Sequence, residues 1–451
     1  MGAVAAGAVF VALRSPYGAG RRPIIVIRNL TIVLLLAALA APLAAQDAAA
    51  PSPLLFIERI EVRNANRVSP DVVIAESRLR EGREYAEAEL RDAATRLARL
   101  PFLLSVDFAL ERGSERGRHV LILTINETKP FFFLLDVVPV YDNDPLLDVD
   151  YSNDRNASGE NLALGARWFV GRRGAVHLGF SGVGHDREFA RDYASFAVGY
   201  TQYDLFGSRA FATINLKRPV EGFGEGLISP QLVVGVPVSA NQTITLKYDE
   251  TRFGEEKRTV LGVDYPIRFG QKVVSATMAY NTTNEPFFPT RGTLLQVTPM
   301  YGWTDGARIL STGFVSPTET LVQHSAYHTH FFGAEAAATR YWELTDRDSV
   351  WGNLRGEWAR ESYNDQFTVT ELDRTARYGS IGIGYSHSLW SPEERVNGDS
   401  RFEFTARYSN RDIENDPPAF FTRDTDVTQV GFAWLRRSSW GTLRLGAGYA
   451  W

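Results

Sequence analysis

Cysteine is absent from the 451 residues, and that absence removes disulfide scaffolds, zinc–thiolate sites and cysteine nucleophiles from consideration. It also suits a chain that must pass an oxidising compartment without mispairing. A long apolar run is missing as well. Beyond Gln46 no uncharged apolar stretch reaches the roughly 18 residues of a spanning helix, which excludes a helical membrane protein but not a transmembrane β-barrel, whose signal per segment is weaker. There is no excess of basic charge: 48 Lys and Arg stand against 53 Asp and Glu, for a net charge of -5. A nucleic-acid partner held by phosphate contacts is therefore not expected. No Gly-x-Ser-x-Gly elbow occurs, and Gly222, Gly224 and Gly226 do not open a helix after a strand, so neither that hydrolase chemistry nor a dinucleotide site is indicated. The chain reads as a protein without enzymatic activity, catalytic residues or cofactor.

What is present is alternation. In Leu443–Trp451, Leu443, Leu445, Ala447, Tyr449 and Trp451 share one face of a period-two pattern, and Arg444, Gly446, Gly448 and Ala450 share the other. Similar alternation recurs from about residue 130 onward. Arg401–Tyr408 sets Phe402, Phe404, Ala406 and Tyr408 against Arg401, Glu403, Thr405 and Arg407; Gln242–Asp249 sets Ile244, Leu246 and Tyr248 against Thr243, Thr245, Lys247 and Asp249; and Leu354 and Trp358 oppose Asn353, Arg355 and Glu357. An aromatic content of 12%, with Trp and Tyr at segment ends, fits interfacial girdles around a barrel. At roughly twenty residues per strand and connection, residues 129–451 predict a transmembrane antiparallel β-barrel of about 16 strands.

The N-terminus carries an address. Arg21, Arg22 and Arg28 precede the apolar core Leu30–Leu43, followed by Ala44 and Ala45, the layout of a secretory signal peptide over 1–45. Residues 46–53 read as a linker. From 54 to 128 the pattern is a small α+β domain in the order strand, helix, helix, strand, strand. Ser69-Pro70 opens the first helix, with Ser as N-cap and Pro at its first position, and the helix runs to Leu79. Leu90, Ala93, Ala94, Leu97 and Leu100 give the second helix one apolar face, ended by Pro101.

Four landmarks within this stretch, Ile60–Val68, Arg80–Tyr85, Leu97–Phe102 and Ile125–Glu127, resemble those of a POTRA domain. That is the periplasmic module preceding the barrel in the BamA/TamA-type outer-membrane assembly superfamily and in two-partner secretion transporters. Asn284–Gly292, with Pro289, Thr290, Arg291 and Gly292 entering the strand Thr293–Tyr301, resembles the turn motif of the same superfamily's surface-antigen-like barrel. Only one POTRA-like copy fits.

The resemblance implies a bacterial outer-membrane protein with residues 54–128 in the periplasm, working in assembly or insertion of other proteins or in polypeptide translocation. Its implied partners are outer-membrane lipids, unfolded client polypeptides bound through the POTRA-like domain, and periplasmic chaperones or accessory proteins. It also implies a lumen arginine on an inward-folded loop. Here the nearest candidate to the superfamily's Arg-Gly-aromatic loop motif is Arg377, in Thr375–Gly379, with Glu403 or Glu357 as partner; its Gly and aromatic are exchanged. A lateral seam is expected between Phe132, Leu134 and Pro139 of the first strand and Leu445, Gly446 and Gly448 of the last. Glycine weakens a strand and Pro139 lacks a ladder donor, though glycine is also common where barrels bend and Pro139 can simply end its strand. Tyr449 and Trp451 would form the C-terminal signal for the protein's own insertion.

The alternative is a passive channel or structural barrel, with Arg355, Glu357, Arg401, Glu403 and Arg407 lining a water-filled pore. His324, His328 and His330 share a strand face, but a polar lumen wall accounts for them and no acidic or Cys ligand is spaced beside them, so no metal is expected.

Overall fold

The computed structural model describes residues 54–98, 100, 102–140, 159–171, 173–181, 195–207, 210–220, 225–239, 241–260, 263–284, 288–316, 319–365, 371–390, 398–416 and 423–450. The expected signal peptide, the linker and Trp451 lie outside them. Among the described residues no helix is long and apolar enough to cross a membrane.

The N-terminal unit runs β1 (Leu54–Arg63), α1 (Pro70–Ser77), β2 (Arg83–Ala86), α2 (Glu87–Ala98), β3 (Leu103–Arg112) and β4 (Arg118–Glu127). Its sheet has the order β2-β1-β4-β3, with β1 parallel to β4 and the outer pairs antiparallel. Pro70 starts α1 because its fixed φ already suits a helix and its missing N–H is not needed there. Ser69 caps differently from the expectation. Its side chain makes no cap bond; its backbone carbonyl accepts from the N–H groups of Val72 (3.0 Å) and Val73 (3.3 Å). The helix stops short of Leu79 because Arg78 turns left-handed at φ 60°. In α2 the buried stripe is Leu90, Ala93, Ala94 and Leu97, the spacing of one helical face. That stripe closes over Ile57, Ile60, Leu121 and Leu123 of the two central strands. The four-residue β2 is an addition to the expected order.

Among the described residues, the strands after this unit are β5 (Phe131–Val140), β6 (Gly159–Val170), β7 (Gly174–Ser181), β8 (Ser195–Gln202), β9 (Phe211–Pro219), β10 (Ser229–Pro237), β11 (Gln242–Val260), β12 (Val263–Asn281), β13 (Gly292–Ser316), β14 (Glu319–Glu343), β15 (Asp348–Asp365), β16 (Glu371–Ser388), β17 (Gly398–Asp416), β18 (Arg423–Ser438) and β19 (Gly441–Ala450). They form one closed barrel, β5 to β19 in sequence order, in which β19 meets β5. Among the described residues fifteen up-and-down strands close the barrel, in keeping with the expected number of about 16, and an odd number makes the last strand run the same way as the first, so the closing pair is parallel.

Alternation sorts the two faces as the sequence pattern predicts. Phe404, Tyr408, Ile244, Leu246 and Trp358 are exposed on the outside, and Arg401, Asp249 and Glu357 are buried on the inside. On β14 the exposed Phe332 and Trp342 stand ten positions apart (342 minus 332). That is about 33 Å along a strand, or about 25 Å along the axis at a tilt of roughly 40°, the height of a hydrocarbon belt. The β-barrel is therefore built to span a membrane. Above the belt β13 and β14 outrun their neighbours. The β12–β13 ladder stops at Arg268↔Ala307 and the β14–β15 ladder at Tyr327↔Asp365, whereas β13 and β14 stay paired up to Ser316↔Glu319.

Candidate functional site

The barrel is joined at a short seam. The ladder between β5 and β19 runs Gly441↔Phe133, Thr442↔Leu134, Leu443↔Leu135, Arg444↔Asp136 and Leu445↔Val137, five residues of each strand. On their other sides both strands are tied along their whole length: β5 to β6 from Phe131↔Trp168 to Val140↔Gly159, and β19 to β18 from Ser438↔Gly441 to Gln429↔Ala450. Arg444 adds a brace on the β18 side, reaching past that strand to Glu403 on β17 at 3.0 Å. Each seam strand is thus held more firmly to its own half than to the other. If the barrel parts anywhere, the physical expectation is between β5 and β19.

The seam's near end is tightly built. Lys129 N–H donates to the Ser439 carbonyl (2.7 Å) and Phe133 N–H to the Trp440 carbonyl (3.0 Å). Gly441 is required there, because a Cβ would lie 2.3 Å from the Phe133 carbonyl oxygen. Phe132 turns inward beneath the Arg167 guanidinium, 5.1 Å from its ring, while Phe133 faces out and is 39% exposed. Leu134 pairs with Thr442, whereas Pro139 pairs only across the other ladder, with Glu160, two residues beyond the last seam pair; Gly446 and Gly448 likewise continue along β18 past the seam.

The inner wall is a lattice of charge. Arg355 pairs with Glu335 at 2.9 Å and lies 3.8 Å from Glu357; Arg407 donates to Tyr378 (2.7 Å) and Ser380 (3.1 Å); Glu403 also accepts from Trp351 Nε1 (2.8 Å). On the far side Asp249 receives Lys247 (2.7 Å), Gln231 (2.7 Å) and Lys217. Mutual pairing is what lets so many ions share one wall.

The turn between β12 and β13 folds back as a floor. Asn284 organises it: its side-chain oxygen accepts from the N–H groups of Thr290 (3.0 Å) and Arg291 (3.3 Å), and its Nδ2 donates to Thr290 Oγ1 (2.9 Å). Gly292 sits at φ +106°, where a Cβ would stand 2.3 Å from the Thr282 carbonyl oxygen, so only glycine enters the strand here. Thr290 is buried, Pro289 half-buried and Arg291 exposed. Phe288, from the same turn, packs on Ala433 and Leu435 of the β18 inner face, with Arg401 5.9 Å from its ring. Arg401 is paired in turn with the buried Asp399, which accepts from Ser388 at 2.7 Å. The family-like turn therefore reaches to the β17–β18 wall inside the barrel, a role that spacing alone does not reveal.

The α+β unit docks on the rim on the same side as this floor. Phe102 meets Phe169 of β6 and Tyr203 of the β8–β9 turn, each at 5.2 Å and edge to face. Burial pushes the Tyr203 phenol's pKa up. Beside them Arg173 bridges Asp71 of α1 (3.1 Å) and Asp204 (3.3 Å). The chain passes from one unit to the other without slack: Thr128 N–H donates to the Phe102 carbonyl (3.0 Å), one residue before Lys129 joins the seam.

Two expectations are corrected. Arg377 is not a loop arginine inside the lumen. It lies within β16, in register with Trp358 and Asp412, and pairs with Asp412 and Glu414 at 3.1 Å each; Glu403 takes Arg444 and Glu357 lies beside Arg355. Alternation along an unbroken strand puts it on the wall opposite to Tyr378. His328 and His330 are likewise not on the lumen wall, because they share parity with the exposed Phe332 while Thr329 and Phe331 are buried inside; the His324 side chain lies outside the described residues. Tyr449 is 66% exposed at the end of β19, which runs parallel to β5 and so away from the α+β unit.

No family model and no curated protein matches the sequence. Among solved structures, the chain is similar to BamA from Haemophilus ducreyi lacking POTRA domains 1–3, at 11% identity over 88% of this chain and 85% of that one, with a TM-score of 0.36. It is similar to CdiB from Acinetobacter baumannii at 8% identity over 88% and 74%, with a TM-score of 0.37. It is also similar to a loop-deletion mutant of OmpT, an outer membrane protein of Vibrio cholerae, at 12% identity over 71% and 98%, with a TM-score of 0.35. Likenesses this distant do not bear on function.

Proposed function

We propose that this chain is a bacterial outer-membrane protein that handles other polypeptides, either inserting β-barrel proteins or translocating a polypeptide, with the α+β unit acting as a POTRA-like domain in the periplasm. The observation that carries the reading is the five-residue seam between strands each tied along its full length to its own side. A barrel that serves only as a wall gains nothing from such a weak line, since unpaired backbone groups facing hydrocarbon each cost several kcal/mol. A barrel that adds a strand at its edge needs one. The α+β unit supports the reading: β3 stands at the edge of its sheet, where an extended client can add as a further strand.

The charged inner wall favours a second reading, a passive channel. The two diverge at the seam. A photoreactive residue in place of Phe133, beside the seam, should trap client chains in cells producing them, whereas the same residue in place of Phe404, outward on β17, should not. Equal trapping at both positions, or none at either, would favour the channel.

A further inference from the structure

Two imidazoles meet on the outer wall at the foot of the projecting β13–β14 hairpin. Across this ladder His330 is paired with Trp303, and His328 with Asp305. Tyr301 and Phe332, exposed and paired one step lower, mark the upper edge of the apolar belt, so the histidines stand just above it in water. Their Nε2 atoms are 2.9 Å apart, with ring centroids at 4.5 Å and planes 84° to each other. Both remaining nitrogens are held. His328 Nδ1 bonds the Asp305 carboxylate, and His330 Nδ1 lies 3.0 Å from the Tyr301 hydroxyl, whose ring stacks on the imidazole at 6.2 Å.

These partners fix the protons. An ionised carboxylate only accepts, so His328 carries its proton on Nδ1 and turns a lone pair outward at Nε2. His330 then donates Nε2–H to that lone pair and accepts the Tyr301 O–H at Nδ1. One proton separates the two facing nitrogens. A cation entering between them displaces it to His330 Nδ1, which donates in turn to the Tyr301 oxygen, so both rings stay neutral and no proton leaves the site.

We infer that His328 and His330 form a binding site for a borderline divalent transition cation of the Zn²⁺ class, oriented from behind by Asp305 and Tyr301. Two Zn–N bonds of about 2.0–2.1 Å at a tetrahedral angle hold their nitrogens about 3.3 Å apart, so the rings need open by only about 0.4 Å. A carboxylate behind a ligating histidine is the usual device for fixing its tautomer and raising its basicity. Among the described residues no group of three or more His, Asp or Glu is arranged to hold a metal, so water or a donor from another molecule completes the shell. The bland alternative is a hydrogen-bonded pair that only supports the hairpin.

Titration of the full chain, folded in detergent without a histidine tag, separates them. With ZnCl₂ in a calorimeter, one site per chain is expected, and Co²⁺ in its place should give visible bands of nitrogen ligation. His328→Ala and His330→Ala should each weaken binding at least about ten-fold, and Asp305→Asn about ten-fold, the usual cost of losing an outer-shell partner. His119→Ala and His387→Ala should leave it unchanged. Zinc binding by the native chain no tighter than by the His328→Ala/His330→Ala double variant, or equal losses in the control variants, would overturn the assignment.

Discussion

Phe288 shows how far a single side chain can carry a turn. Asn284 and Gly292 fix the backbone so tightly that the ring is delivered to Ala433 and Leu435, and the floor of the lumen depends on it. Phe288→Ala should cost about 2 kcal/mol of packing, the value of burying one such ring, and should raise the conductance of the barrel in planar bilayers. Unchanged conductance would place the floor's resistance elsewhere. At this scale the sequence was half legible. Alternation sorted Arg355, Glu357, Arg401 and Glu403 to the inner face, because a strand's period is a local property. Which residue stands beside which depends on register, and that is not local: Asp305 lies 23 residues from His328 yet is its hydrogen-bond partner. Arg377 was misplaced for the same reason, since a short motif says nothing about whether its strand continues; β16 begins at Glu371 and does.

At the scale of elements, local signals placed α1 and α2 within a few residues, since Pro70 and the Leu90–Leu97 stripe each act on their own neighbourhood. β2 escaped notice because four residues are too few to show a period. The docking of the α+β unit was also invisible, as it joins Phe102 to residues of two later strand ends. That contact has a measurable energy. A double-mutant cycle of Phe102→Leu and Tyr203→Leu, read by denaturant unfolding in micelles, should give a coupling of about 0.5–1.5 kcal/mol, the excess of an edge-to-face pair over simple burial. Additive effects would mean that the Phe102–Tyr203 pair adds nothing beyond burial and that Phe169 and the Arg173–Asp71 pair hold the unit.

For the whole molecule, composition and alternation were enough to indicate a membrane barrel behind a small α+β unit. The strand number was legible only to within one, because division by an average spacing assumes equal strands, whereas β13 and β14 take 25 residues each and leave fewer to share. An odd rather than an even count makes the closure parallel and so sets the end of the barrel at which Tyr449 lies. Gly446, Gly448 and Pro139 were expected at the seam, whereas the register places all three beyond its five paired residues. The most direct test is to lock that seam. Leu135 and Leu443 are register partners, and the chain has no native cysteine to compete, so Leu135→Cys with Leu443→Cys should oxidise readily. Loss of client assembly or export on oxidation, restored by reductant, is the predicted result; full activity of a verified, completely locked barrel would contradict it.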